Sequence, residues 1–83
     1  MIGSIRIVGE VSQRALISIS IALQQIGKHR LAFGMVEQVL NDQSQPIPEL
    51  KLHAHVQAAR LWLDLGSVEI ALAFLGRARE HLS

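Results

Sequence analysis

Four histidines and seven acidic residues, with no cysteine, are what this 83-residue chain offers for metal binding or acid–base chemistry. His53 and His55 stand two apart, which on a helix separates them by roughly 200°, so they cannot grip one ion. Asp64 follows His55 by more than two helical turns. Zinc needs three or four converging ligands, and no such set is visible. Serine, histidine and acid combinations occur here as they would by chance in any chain, and none sits in a nucleophile-elbow pattern. A glycine-rich phosphate loop is also missing. The expectation is therefore no enzyme, no cofactor and no metal site. Gly27-Lys-His-Arg30 is the only basic cluster. It reads as a solvated turn, or as a phosphate contact at the start of a second helix.

Composition narrows the class further. At 49% hydrophobic residues the chain is too apolar for disorder, and its length makes one small domain, residues 1–83. No apolar run reaches the ~18 residues of a membrane span. The start, Met1 to Gly9, lacks the basic flank and cleavage site of a signal peptide. Missing cysteines fit a reducing compartment. A net charge of +1 provides no electrostatic pull towards nucleic acid or anionic membrane. A cytoplasmic protein with neither a nucleic-acid partner nor membrane insertion is expected.

What remains is architecture, and an internal repeat supplies it. An offset of 39 residues lays Gly27 on Gly66, Ala32 on Ala71, Val36 on Leu75 and Val39 on Ala78. Upstream, the same offset lays Leu16 on His55, Ser20 on Ala59 and Leu23 on Trp62. Each copy reads as helix, glycine turn, helix. Gly66 suits a left-handed helix end, and Ser67 is placed to cap the next helix through its hydroxyl, with Glu69 near that positive terminus. The segment Asn41 to Pro48 is the one loop-like stretch, with Pro46 or Pro48 suited to a first helical turn. Ile17-Ser-Ile-Ser-Ile-Ala22 alternates like a strand, but it lies inside a periodic run long enough to favour helix. Four helices are predicted, near 11–26, 29–41, 48–65 and 68–82, in repeats spanning about 13–41 and 48–82, with an apolar N-terminal segment over 1–10.

This pattern resembles the tetratricopeptide repeat (TPR). The small positions are Ser20, Ala32, Ala59, Ala71 and Ala78, with Val39 a bulkier exception. The large ones are Leu16, Ile19, Leu23, Val36, Trp62 and Leu75, and Gly27 and Gly66 match the turn glycine. The repeat is 39 residues rather than the family's 34, His55 stands where a bulky aromatic is usual, and the chain has no tyrosine. The resemblance implies an all-α fold, two antiparallel hairpins stacked as a short TPR-like solenoid. The bland alternative is an unrelated four-helix bundle.

The resemblance also implies a concave groove lined by the first helix of each hairpin. Its positions are Arg14, Ile17, Ser18, Ile21, Gln24 and Gln25, then His53, Val56, Gln57, Arg60, Leu63 and Asp64. The lysine and asparagines of the family's carboxylate clamp are absent, and Ile17, Ile21, Val56 and Leu63 form an apolar strip instead. Such a strip suits an amphipathic or apolar helix of a protein partner, or else it is simply core. An adaptor or chaperone is the expected function, and very small chains of this build resemble the TPR-like needle-subunit chaperones of bacterial type III secretion. The alternatives are a scaffold repeat pair serving subunit assembly and a helix-turn-helix DNA-binding protein. In the final helix Leu72, Ala73 and Leu82 stand beside an expected inner face of Ile70, Ala71, Phe74, Leu75 and Ala78. That two-sided character points to self-association through Leu72 and Leu82 into a homo-oligomer.

Overall fold

The computed structural model describes residues 2–43 and 47–81, with side chains from residue 11 onward. Among the described residues there are four helices and no strand: α1 (Ile2–Gln25), α2 (His29–Asn41), α3 (Pro48–Asp64) and α4 (Val68–Glu80). The 17–22 stretch is helical. Gln13, Ile17 and Ser20, four and three apart, are its buried face, so a period near 3.6 wins over the apparent period of two. The boundaries fall within two residues of expectation except at the N-terminus. There residues 2–10, read as a separate segment, continue α1 without a break. No proline interrupts them, and a helix already nucleated downstream tolerates Gly9 at a cost of about 1 kcal/mol. Pro46 and Leu82 lie outside the described residues, while Pro48 opens α3 as expected.

Both short connections use the same glycine stop. Gly27 and Gly66 have φ of +80° and +82°, the left-handed region where a Cβ would be strained. Lys28 N–H reaches Leu23 O at 2.8 Å while Gly27 N–H reaches Gln24 O at 3.0 Å. Ser67 N–H to Trp62 O (2.8 Å) and Gly66 N–H to Leu63 O (2.9 Å) repeat the motif. The side-chain cap expected from Ser67 is not made: its hydroxyl bonds no amide of α4. The backbone wrap around Gly66 already fixes the turn.

Contacts fix the directions. Gln13 in α1 donates to Asp42 just past α2 (3.0 Å), and the His55 ring of α3 lies 5.2 Å from the His81 ring just past α4. Each pair therefore runs antiparallel. Gln24 of α1 donates to Asp64 at the end of α3 at 2.7 Å, so α1 and α3 run parallel. α3 is the central helix, touching α1, α2 and α4, whereas α1 and α4 do not approach each other among the described residues. The result is a slab of 45 × 31 × 15 Å.

Small residues set how close the helices come. Ser20, Ala32, Ala59, Ala71, Ala78 and Val39 are all buried, as the repeat requires. The core cluster joins Ile17, Val36, Val39, Leu50 and Leu61 with Ala32, Ala54 and Ala58. Phe33 meets Trp62 edge-on at 5.5 Å and Phe74 at 5.9 Å. The large positions Ile19 and Leu75, expected between helices, are instead exposed, as is Ile70. The inner face of α4 is only Ala71, Phe74 and Ala78, because α3 is the one described helix packed against α4 and it does not cover the rest.

One charged group is buried in this packing. Lys51 is 9% exposed, and its Nζ donates to the carbonyls of Val39, Leu40 (3.1 Å) and Asp42 (2.8 Å). An ammonium has three protons, and all three are used on the carbonyls that end α2. Burial lowers the Lys51 pKa from its ordinary value, and the Asp42 carboxylate acts in the opposite direction.

Two measurements test these contacts. Replacing Lys51 with Met keeps the stem and removes the clamp; a loss of about 2–4 kcal/mol in a urea titration is expected. Ala59→Phe or Ala71→Phe should cost about 1–3 kcal/mol or more by overpacking, about 4–8 °C of thermal midpoint per kcal/mol. Exposed Ala73→Phe is the control and should be near neutral.

Candidate functional site

The parallel neighbours α1 and α3 leave a shallow groove along one side of their seam. A cavity of about 250 Å³ is lined by Arg14, Ile17, Ser18, Leu50 and His53. A second, of about 260 Å³, is lined by Leu52, His53, Val56, Gln57 and Arg60. His53 borders both. The structure therefore brings together residues of the two copies that sequence reasoning assigned to one surface.

They do not all remain accessible. Arg14, Ser18, Gln25, His53, Arg60 and Asp64 are exposed, as are Ile21 and Leu63 at 37% and 47%. Gln24 and Val56 are half-buried, while Ile17 (9%) and Gln57 (3%) form the floor. The strip thus splits, with Ile17 in the core and Ile21 and Leu63 open to solvent.

A polar chain fixes the register of the two helices beneath the groove. Gln57 Nε2 donates to Gln24 Oε1 (2.8 Å) and more weakly to Ser20 Oγ (3.3 Å). Gln24 Nε2 donates in turn to Asp64 Oδ2, which also meets His29 Nε2 at 3.2 Å. Hydrogen bonds from Gln24 and then His29 lower the Asp64 carboxyl below its ordinary value. His29 thereby leaves the basic cluster and ties the first turn to the end of α3. Thirty-five residues separate it from Asp64, so no local signal revealed the pair.

The other clusters are elsewhere. His55 and His81 stack beside a cavity of about 520 Å³ that Leu40, Asp42, Gln43, Pro48 and Lys51 also line. His55 Nδ1 lies 2.7 Å from Lys51 O. Among the described residues no three His, Cys, Asp or Glu side chains converge to hold a metal. Nor is any described helix long and apolar enough to cross a membrane.

Burial lowers the His55 pKa, its bond to the Lys51 carbonyl acts the other way, and His81, Arg77 and Lys51 lower it further. A histidine kept neutral by folding makes the unfolded state bind more protons. Stability is then full above the ordinary value of 6.5 and falls as pH drops below it towards the folded-state value. Asp64 contributes in the same direction but only below its ordinary 3.8, so the two windows separate. The urea midpoint should fall between about pH 7.5 and pH 5, and His55→Gln should flatten that slope.

No family model, no curated protein and no solved structure matches the chain, and the groove is known by its own geometry alone.

Proposed function

We propose that this chain is a protein–protein interaction module, a small TPR-like adaptor or chaperone whose α1–α3 groove receives an apolar or amphipathic helix of a partner. The observation that carries the reading is the exposure of Ile21 and Leu63 on the helix pair that lines the two cavities, one between α1 and α3 and the other along α3. Large aliphatic residues left open beside a concave surface suit the anchors of a partner helix. His53 and Arg60 stand along the cavities and no acid among the described residues lines either one, so a helix with acidic flanks fits best.

Two parallel first helices, each folded back antiparallel on its second, support the TPR-like reading. The antiparallel course of α3 and α4 disfavours a helix-turn-helix, whose two helices cross at a wide angle. The narrower form of the reading is a chaperone of the type III secretion needle-subunit kind, holding a polymerising helix in the cytoplasm. Its support is small size, tandem hairpins and an apolar groove.

The test separates groove from core. Ile21→Glu and Leu63→Glu should leave the circular dichroism melt nearly unchanged and weaken binding to a co-purified partner by about 2–4 kcal/mol. Ile17→Glu buries an unpaired carboxylate and should abolish the helical signal. Retained affinity in both exposed-site variants would place the binding surface elsewhere.

A further inference from the structure

The 39-residue equivalence of the two hairpins is broken at each end of the molecule, and the two breaks match. α3 presents Leu50, Ala54, Ala58 and Leu61, with Lys51 and Gln57 beside them, and all six are at most 9% exposed. Their counterparts in α1 are Val11, Ala15, Ile19 and Ala22, with Ser12 and Ser18. All six of these are exposed, Val11 at 60% and Ile19 at 46%. They fall within a sector of about 120° on the helix. This is a face built like the buried one, with small residues at its centre, but exposed.

The opposite end shows the converse. In the first hairpin Gln13, Ile17 and Val36 are buried at 9% exposure or less, and Phe33 is half-buried. The matching residues of the second are Leu52 and Val56, half-buried, and Leu75 and Leu72, exposed at 39% and 60%. His29 likewise maps onto Val68, 54% exposed. An edge meant for water is expected to be the more polar of the two. Here the open edge is the more apolar one, with leucine for Gln13 and valine for His29.

We propose that a second copy of this chain docks the Val11–Ala15–Ile19 face of its α1 onto the Leu72–Leu75 edge of α3 and α4, in the relation that α3 bears to α1 and α2. The inference rests on the tandem-hairpin reading and extends it from one chain to two. The occupant is identified by continuity: the intrachain junction is the template, and the chain itself carries both halves of it. Such a contact is heterologous, so each added copy leaves one α1 face and one α4 edge free.

One element of the template is missing. The end of α4 reproduces the end of α2, with His81 N–H on Ala78 O (3.0 Å) where Asp42 N–H meets Val39 O (3.4 Å). Ser12 replaces Lys51, however, and His81 replaces Asp42, so the junction between copies has no ammonium clamp. Association is therefore weaker than the internal junction and depends on concentration.

Sedimentation velocity over a concentration series tests this. The mean mass should rise without a plateau at the dimer. Leu72→Glu and Ala15→Glu both replace exposed side chains outside the groove, and each alone should give a folded monomer. Mixed together they should form a one-to-one pair, since each retains the edge that the other lacks. The double variant Ser12→Lys/His81→Asp rebuilds the clamp and should tighten association about tenfold. A monomer at every concentration overturns the proposal and leaves groove binding untouched. Association blocked by Leu72→Glu but not by Ala15→Glu overturns it in favour of two α4 edges meeting symmetrically. A double variant that associates no more tightly shows that the internal junction is not the template.

Discussion

The Lys51 ammonium is the constraint on which the joint between the hairpins depends. α2 ends against α3, so its last carbonyls face protein and need donors there. A single lysine serves the backbone at Val39, Leu40 and Asp42, and Gln13 reaches the Asp42 carboxylate from α1. Three helices thus meet at one helix terminus. Burying a charge is costly, and it is tolerated because every proton has an acceptor and an acid stands nearby. An apolar side chain would pack as well but would leave α2 free to slide along α3.

Much of this was legible from residue types that allow only one local solution. Gly27 and Gly66 announced both turns, since few other residues accept a φ near +80°. Alanines at fixed offsets marked the close approaches, because a large side chain there would separate the backbones. Long-range polar pairing left no such trace. Nothing in the sequence around Lys51 distinguishes it from a surface lysine, and the partnership of His29 with Asp64 spans 35 residues. Ile19 and Leu75 failed for a related reason. Ile19 lies on the outer face of α1 and Leu75 on the outer edge of α4, where no described helix covers them, and a repeat pattern marks a position without showing whether a neighbour is there. Of the candidate groove, sequence assigned the residues to α1 and α3 but could not divide buried positions from exposed ones.

That division matters for how the groove would work. Ser20, Gln24, Gln57 and Asp64 lock the helices in register through directional bonds, while Ile21 and Leu63 add no packing that the fold requires. The groove's shape is therefore set before any ligand arrives, and little conformational entropy remains to be lost at its floor on binding. In the proposed reading, hydrogen-bonded amides below and aliphatic side chains at the margins would let stability and affinity rest on different residues.

Trp62 has a further consequence. It is the only tryptophan, it lies on central α3, and its ring leans on Phe33 across the line where the two hairpins meet. Its indole N–H is shielded from water and makes no hydrogen bond. Its fluorescence is therefore an intrinsic reporter of hairpin separation: water reaching the indole would shift emission to the red even while every helix stayed wound. Compared with far-ultraviolet ellipticity, that one signal reveals whether the molecule comes apart as two helical pairs or melts as a single cooperative unit.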